Sequence, residues 1–145
     1  MYAYDLRWWN CYHSKVQNGW TSSLEAVRRY AVNHIPVVRG MGFSRREGVI
    51  TRNGRNSGDH AIQLARHLGY NRLLLIGYDA QDTGGRSHCH GDHPKGCNGK
   101  RNHQRWIEGF RALARTADID IVNCTIETAI DCFPRMDLEG AIHVR

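Results

Sequence analysis

No stretch of this chain approaches the roughly 18 apolar residues that a bilayer-crossing helix needs. The opening MYAYDLRWW lacks the basic, apolar and small-residue regions of a secretory signal. These two absences speak against a membrane role and make the cytosol the default location. There is no CxxC pair, so paired zinc-finger spacing is excluded. There is no GxGxxG and no Lys-Ser/Thr pair after a glycine loop, so neither standard nucleotide fingerprint can be claimed. Internal repeats, low-complexity tracts and linkers are absent too, which leaves one domain over residues 1–145 as the expected organisation.

What is present fits that expectation. With 145 residues, 41% hydrophobic and 23% charged, the chain can bury one ordinary core. The five cysteines, Cys11, Cys89, Cys97, Cys124 and Cys132, are odd in number and widely spaced, so free thiols are the simplest reading. A net charge of +6 and a pI near 9.3 favour an anionic partner. A small anionic ligand such as a nucleotide is expected, with nucleic acid as a second candidate. The basic residues come in short, dispersed clusters (Arg28-Arg29, Arg45-Arg46, Arg52 with Arg55, Lys100-Arg101) and do not form a tail.

The pattern along the chain is that of an α/β fold. Ser57 to His67 reads as a helix, with Ala61, Leu64, Ala65 and Leu68 spaced on one apolar face. Asn56 or Ser57 can cap it, Asp59 suits its positive end and Gly69 ends it. GVIT before it, RLLLIGYD after it and IDIVNC near the end are apolar runs of strand length. A second helix carries Trp106, Phe110, Leu113 and Ala114. Upstream, YAYDLRWW and IPVVRG read as strands and SSLEAVRRYAV as a helix. Strands alternating with helices predict a mostly parallel sheet, with GVIT, RLLLIG and IDIVNC as neighbours.

In such sheets ligands bind beyond the carboxyl ends of the strands. That selects Asp5 to Trp9, TRNGRNSGD, Asp79 to Asn102 and the NCT after the last strand. In TRNGRNSGD the amides of Ser57, Gly58 and Asp59 at a helix start, with Arg52 and Arg55, suit an anion; a capped turn with solvated arginines is the alternative. Asp79 could hold a ribose hydroxyl, a metal or an attacking hydroxyl, or merely cap a turn. The loop GGRSHCHGDHPKGCN contains the literal pattern HxHxDH, which resembles the zinc signature of metallo-β-lactamase-type hydrolases. Downstream of it only His103 and His143 remain as imidazole ligands, and the expected sheet is of another kind. The metal alternative is therefore a single zinc drawn from His88, His90, His93 and Cys97, with Cys89 or His103 in reserve. The preferred reading is a lid over the strand ends, with one histidine acting as base.

NSGDHAIQLARHLGYNRLLLIGYDAQ, GGRSHCHGDHP, VNCTIETAIDCFPRMDL and YAYDLRWW together resemble a family of small bacteriophage and prophage proteins, often labelled norphogenetic. More distantly, the order of Ser-Gly turn, helix, Leu-Gly-Tyr, strand, Gly-x-Asp, histidine-containing loop, helix and strand is similar to Rossmann-like bacterial sialyltransferases. It also resembles hydroxymethylpterin diphosphokinase-like and motility-accessory proteins. That resemblance implies a three-layer Rossmann-like domain in a phage-encoded protein acting in the bacterial cytoplasm. The implied activity is transfer of a glycosyl or phosphoryl group from a nucleotide or nucleotide sugar. It puts the phosphate turn on Asn56, Ser57 and Gly58, matches Gly77 and Asp79 to Gly-x-Asp, and offers His93 or His103 as the base. The superfamily's opening strand and Gly-Asn-Gly-Pro-Ser turn have no counterpart here. The fold is thus expected to lack the first strand unit, and the open sheet edge would favour a homo-oligomer. A zinc-dependent hydrolase or nuclease, and a binding protein without catalysis, are the competing functions.

Overall fold

The computed structural model describes residues 2–3, 33–34, 37–46, 48–54, 56–84 and 102–144. Of these, 2–3 and 33–34 belong to one compact unit and those from 37 onward to a second. In the first unit β1 (Tyr2–Ala3) pairs in parallel with β2 (Asn33–His34), Tyr2 opposite Asn33. The helix read in SSLEAVRRYAV and the segment Asp5 to Trp9 lie outside the described residues.

The second unit contains β3 (Val37–Val38), β4 (Ile50–Thr51), α1 (Ser57–His67), β5 (Arg72–Leu75), α2 (His103–Thr116), β6 (Asp120–Asn123) and α3 (Leu138–His143). Strand β3 pairs in parallel with β4, and β5 pairs in parallel with β6, Leu75 opposite Asn123. The chain is mixed α/β, with short parallel strand pairs and, among the described residues, three helices. None of those helices is long and apolar enough to cross a membrane.

The uninterrupted Leu73-Leu74-Leu75 run has its physical reason in the β5–β6 pair, because both faces of that pair are covered. Leu73, Leu75 and Ile121 pack into a core with Ile62, Phe110 and Leu113. Leu74 and Val122 turn the other way, onto Cys124 and Ala141 of α3. Helix α3 was not foreseen from sequence. Asp137 caps it by accepting from the Gly140 amide at 2.7 Å. Arg72 of β5 holds its far end by donating to the carbonyls of Ala141, at 3.0 Å, and Val144.

The expected neighbourhood of β4 differs. Among the described residues β4 pairs only with β3, and its other edge is taken by a side chain. The Thr51 amide donates to Gln63 Oε1 at 2.7 Å, and Gln63 Nε2 donates to the Thr51 carbonyl at 3.0 Å. One carboxamide from α1 thus makes both bonds that a neighbouring strand would have made to Thr51.

That arrangement also changes which face of α1 is inward. The spacing of Ala61, Leu64, Ala65 and Leu68 implies an apolar stripe, but Ala61 is exposed and Leu68 is 49% exposed. The buried residues are Asp59, His60, Ile62 and Gln63. Polar groups face inward because each has structural work there: Gln63 completes β4, and Asp59 closes the cap of its own helix.

Candidate functional site

The turn between β4 and α1 is fixed by a reciprocal cap. Asn56 is extended, its Oδ1 accepts from the Asp59 amide at 2.8 Å, and Asp59 Oδ2 accepts from the Asn56 amide at 3.4 Å. This capping box uses the amides of Asn56 and Asp59 and leaves those of Ser57 and Gly58 outside it. Asp59 has no exposed surface. Burial pushes its carboxyl up to about 6, against the opposing pull of hydrogen bonds from Asn56, Gly54 and Gln63. His60 lies beside it, Nε2 3.3 Å from Asp59 Oδ1. Burial, and then the charge of Arg52, push His60 down to about 4. At neutral pH this first turn therefore holds a buried carboxylate against a neutral imidazole.

Two glycine contacts join this turn to the elements around it. A Cβ on Gly109 of α2 would fall 2.2 Å from the Gly54 nitrogen, so helix and turn meet backbone to backbone. A Cβ on Gly58 would fall 2.8 Å from Tyr78 Cε1 and 3.3 Å from Phe110 Cζ. The glycine read as room for a phosphate thus admits an aromatic ring on its Cα side. Tyr78 packs edge-on against Phe110, ring centres 5.8 Å apart, and its hydroxyl donates to the Gly58 carbonyl at 3.3 Å. Burial raises the Tyr78 phenol pKa, and the Asp59 charge adds to the effect.

Tyr78 carries the α1 start to the end of β5. Its amide donates to Thr125 Oγ1 at 2.9 Å, and its carbonyl accepts from Thr128 Oγ1 at 2.6 Å. Asp79 follows, exposed, its Oδ1 accepting from the Ala80 amide at 2.9 Å. Its carbonyl accepts from Ala129 at 2.8 Å. His103 opens α2, packed edge-on against Trp106 at 4.9 Å, with Nε2 3.8 Å from Asp82 Oδ1. That spacing suits an ion pair and is too long for a hydrogen bond. Trp106 and Arg105, one helical turn on, lie against Gly54.

Asn56, Ser57 and Gly58 thus stand at the α1 start against Tyr78, which Asp79 follows, and α2, which His103 opens, meets the same turn through Arg105, Trp106, Gly109 and Phe110. Arg52 is exposed, and its charge reaches His60. Arg55, His88, Cys89, His90, His93 and Cys97 lie outside the described residues. Among the described residues no group of three or more His, Cys, Asp or Glu side chains could hold a metal ion. Cys124 is buried and Cys132 half-buried, both as free thiols, and burial pushes the Cys132 thiol up to about 11.

Sequence reasoning did not find Tyr78, His60 or Asn53. Asn53 is 2% exposed, and neither polar atom of its carboxamide has a hydrogen-bond partner among the described residues. Such a group costs roughly 1–3 kcal/mol unless something satisfies it. The signals that could have pointed to Tyr78 are its place directly after Gly77, at φ +75°, and before Asp79. No family model, curated protein or solved structure matches the chain.

Proposed function

We propose that the chain is a phage-type protein that binds a nucleotide or nucleotide sugar at this end of the second unit and transfers a glycosyl or phosphoryl group from it, on a three-layer Rossmann-like fold. The observation that carries the reading is the meeting of the α1 start with Tyr78-Asp79 at the β5 end, where open α/β folds take their ligands. The buried carboxamide of Asn53 in the same turn, without a hydrogen-bond partner among the described residues, supports it, because a polar ligand atom there would remove its cost.

In this reading the Ser57 and Gly58 amides face the donor phosphate, with Arg52 and Arg55 supplying charge. Asp79 holds a ribose or acceptor hydroxyl. His103 takes the acceptor proton as the acceptor oxygen attacks and the nucleotide phosphate leaves. Thermal unfolding with a panel of nucleotides and nucleotide sugars tests it. A true ligand at ~100 times its dissociation constant adds roughly 2.7 kcal/mol. His103→Ala should cut turnover by about 100-fold and leave the melting temperature unchanged. A panel in which nothing stabilises the protein would sink the proposal.

A further inference from the structure

At the other end of α1 lies a groove of about 420 Å³, within the roughly 300–1,000 Å³ span of ligand sites. Its lining includes neither Ser57 and its turn nor His103. Its walls are the loop carrying Phe43, Arg45 and Arg46, the last turn of α1 with Arg66, and Tyr70 beyond that turn.

The basic loop is anchored from three sides. Phe43 is buried in the core, and its amide donates to Thr116 Oγ1 at 2.8 Å. The Thr51 hydroxyl donates to the Gly42 carbonyl. The Ser44 hydroxyl accepts from the Arg46 amide and donates to the Arg46 carbonyl, both at 3.1 Å. Arg45 and Arg46 are therefore held out from a fixed base.

Among the described residues their charge has no partner. Arg66 donates from Nε and Nη2 to the two Asp118 oxygens at 2.6 and 2.5 Å, while its guanidinium lies 5.1 Å from the Phe43 ring centre. That bidentate pair uses the groove's carboxylate. Among the described residues neither Arg45 nor Arg46 has an ionic partner.

Tyr70 is placed by the helix end. The Gly69 amide donates to Arg66 O at 3.0 Å and the Tyr70 amide to Ala65 O at 3.1 Å, the two bonds of a Schellman cap. These bonds satisfy carbonyls whose partial negative charge would otherwise face an anion. The cap leaves the Tyr70 side chain at the rim, 61% exposed.

We propose that this groove binds single-stranded nucleic acid, with phosphates at Arg45 and Arg46 and an unstacked base on Tyr70. Paired guanidinium charges beside an open aromatic ring are the two elements that such strands require, and neither depends on sequence readout. A base held inside a duplex would present no face to Tyr70. An acidic peptide would use the arginines and leave the ring idle.

Fluorescence anisotropy of the full chain with a labelled oligothymidylate, over a range of salt, tests the proposal. Arg45→Ala with Arg46→Ala should weaken binding at least tenfold and flatten the slope of log affinity against log salt by about 1.4, roughly 0.7 for each lost single-strand phosphate contact. Tyr70→Ala should weaken it about tenfold, and Tyr70→Phe should keep it. Circular dichroism confirms that each variant is folded. Unchanged binding in the arginine pair or in Tyr70→Ala overturns the proposal, as does equal affinity for duplex or competition by polyglutamate at equal charge. Arg52 and His103 variants should leave oligothymidylate binding intact, so this groove and the nucleotide site stand or fall separately.

Discussion

At its first turn α1 buries a carboxylate and an imidazole side by side and sets a glycine against an aromatic ring; past its last turn stands an exposed tyrosine, beside a loop whose two exposed arginines have no ionic partner among the described residues. The amino terminus is where a helix should attract anions, yet its Asn56 and Asp59 amides are already taken by the capping box. The carboxyl terminus, unfavourable by dipole, has its carbonyls bonded and its charge supplied by a neighbouring loop. The two ends differ in which groups their own fold consumes, and not only in helix polarity. What matters is which groups remain after the helix ends have been satisfied.

The comparison can be broken hardest at Gly109. Gly109→Ala puts a methyl group 2.2 Å from the Gly54 nitrogen, and backbone on both sides cannot yield cheaply. Urea denaturation should show a loss of about 3 kcal/mol or more. Parent-like stability would mean that the α2 contact is loose and the first-turn end less committed than described.

A smaller effect comes from the buried pair. Raised to about 6, Asp59 contributes stability that is present below 3.8 and lost as pH rises through 6. Lowered to about 4, His60 contributes stability that is present above 6.5 and lost as pH falls through 4. The two trends oppose each other, so in the parent this pair leaves stability nearly flat between those limits. Asp59→Asn exposes the His60 trend, and stability should fall by about 2 kcal/mol as pH drops from 6.5 towards 4. His60→Gln exposes the Asp59 trend, and stability should rise over the same interval. Thermal melts across pH check both signs. The surface carboxylates Asp118 and Asp131, held below 3.8 by hydrogen bonds from Arg66 and Arg111, act only in stronger acid.

The smallest effect sharpens the contrast. Replacing Arg45 and Arg46 by Ala should change unfolding stability by no more than about 0.5 kcal/mol, because neither side chain has an ionic partner among the described residues to lose. A larger loss would show that the groove end serves the fold as well.

Local structure was legible where it depends on near neighbours. Asn56, Gly69 and the apolar runs at β5 and β6 marked their elements correctly, because caps, turns and doubly buried strands leave their signals within a few residues. The inward face of α1 was not legible. Gln63 faces the core for the sake of Thr51, twelve residues away, and periodicity counts such a residue as polar and outward. The Gly54–Gly109 approach and the groove at Arg45 are also long-range. They arise from how elements meet, and short sequence windows do not register that. Helix α3 is only six residues long, below the span in which an apolar period can be recognised.

Gln63 has a consequence for how this part of the molecule comes together. A strand neighbour can zip onto β4 while the rest of the chain is still unformed, but the Gln63 amide reaches Thr51 only after α1 has coiled and docked. Completion of the strand edge is thereby tied to the helix. Loss of α1 strips the Thr51 amide and carbonyl of both bonds at once, so helix and strand gain and lose order as one cooperative step.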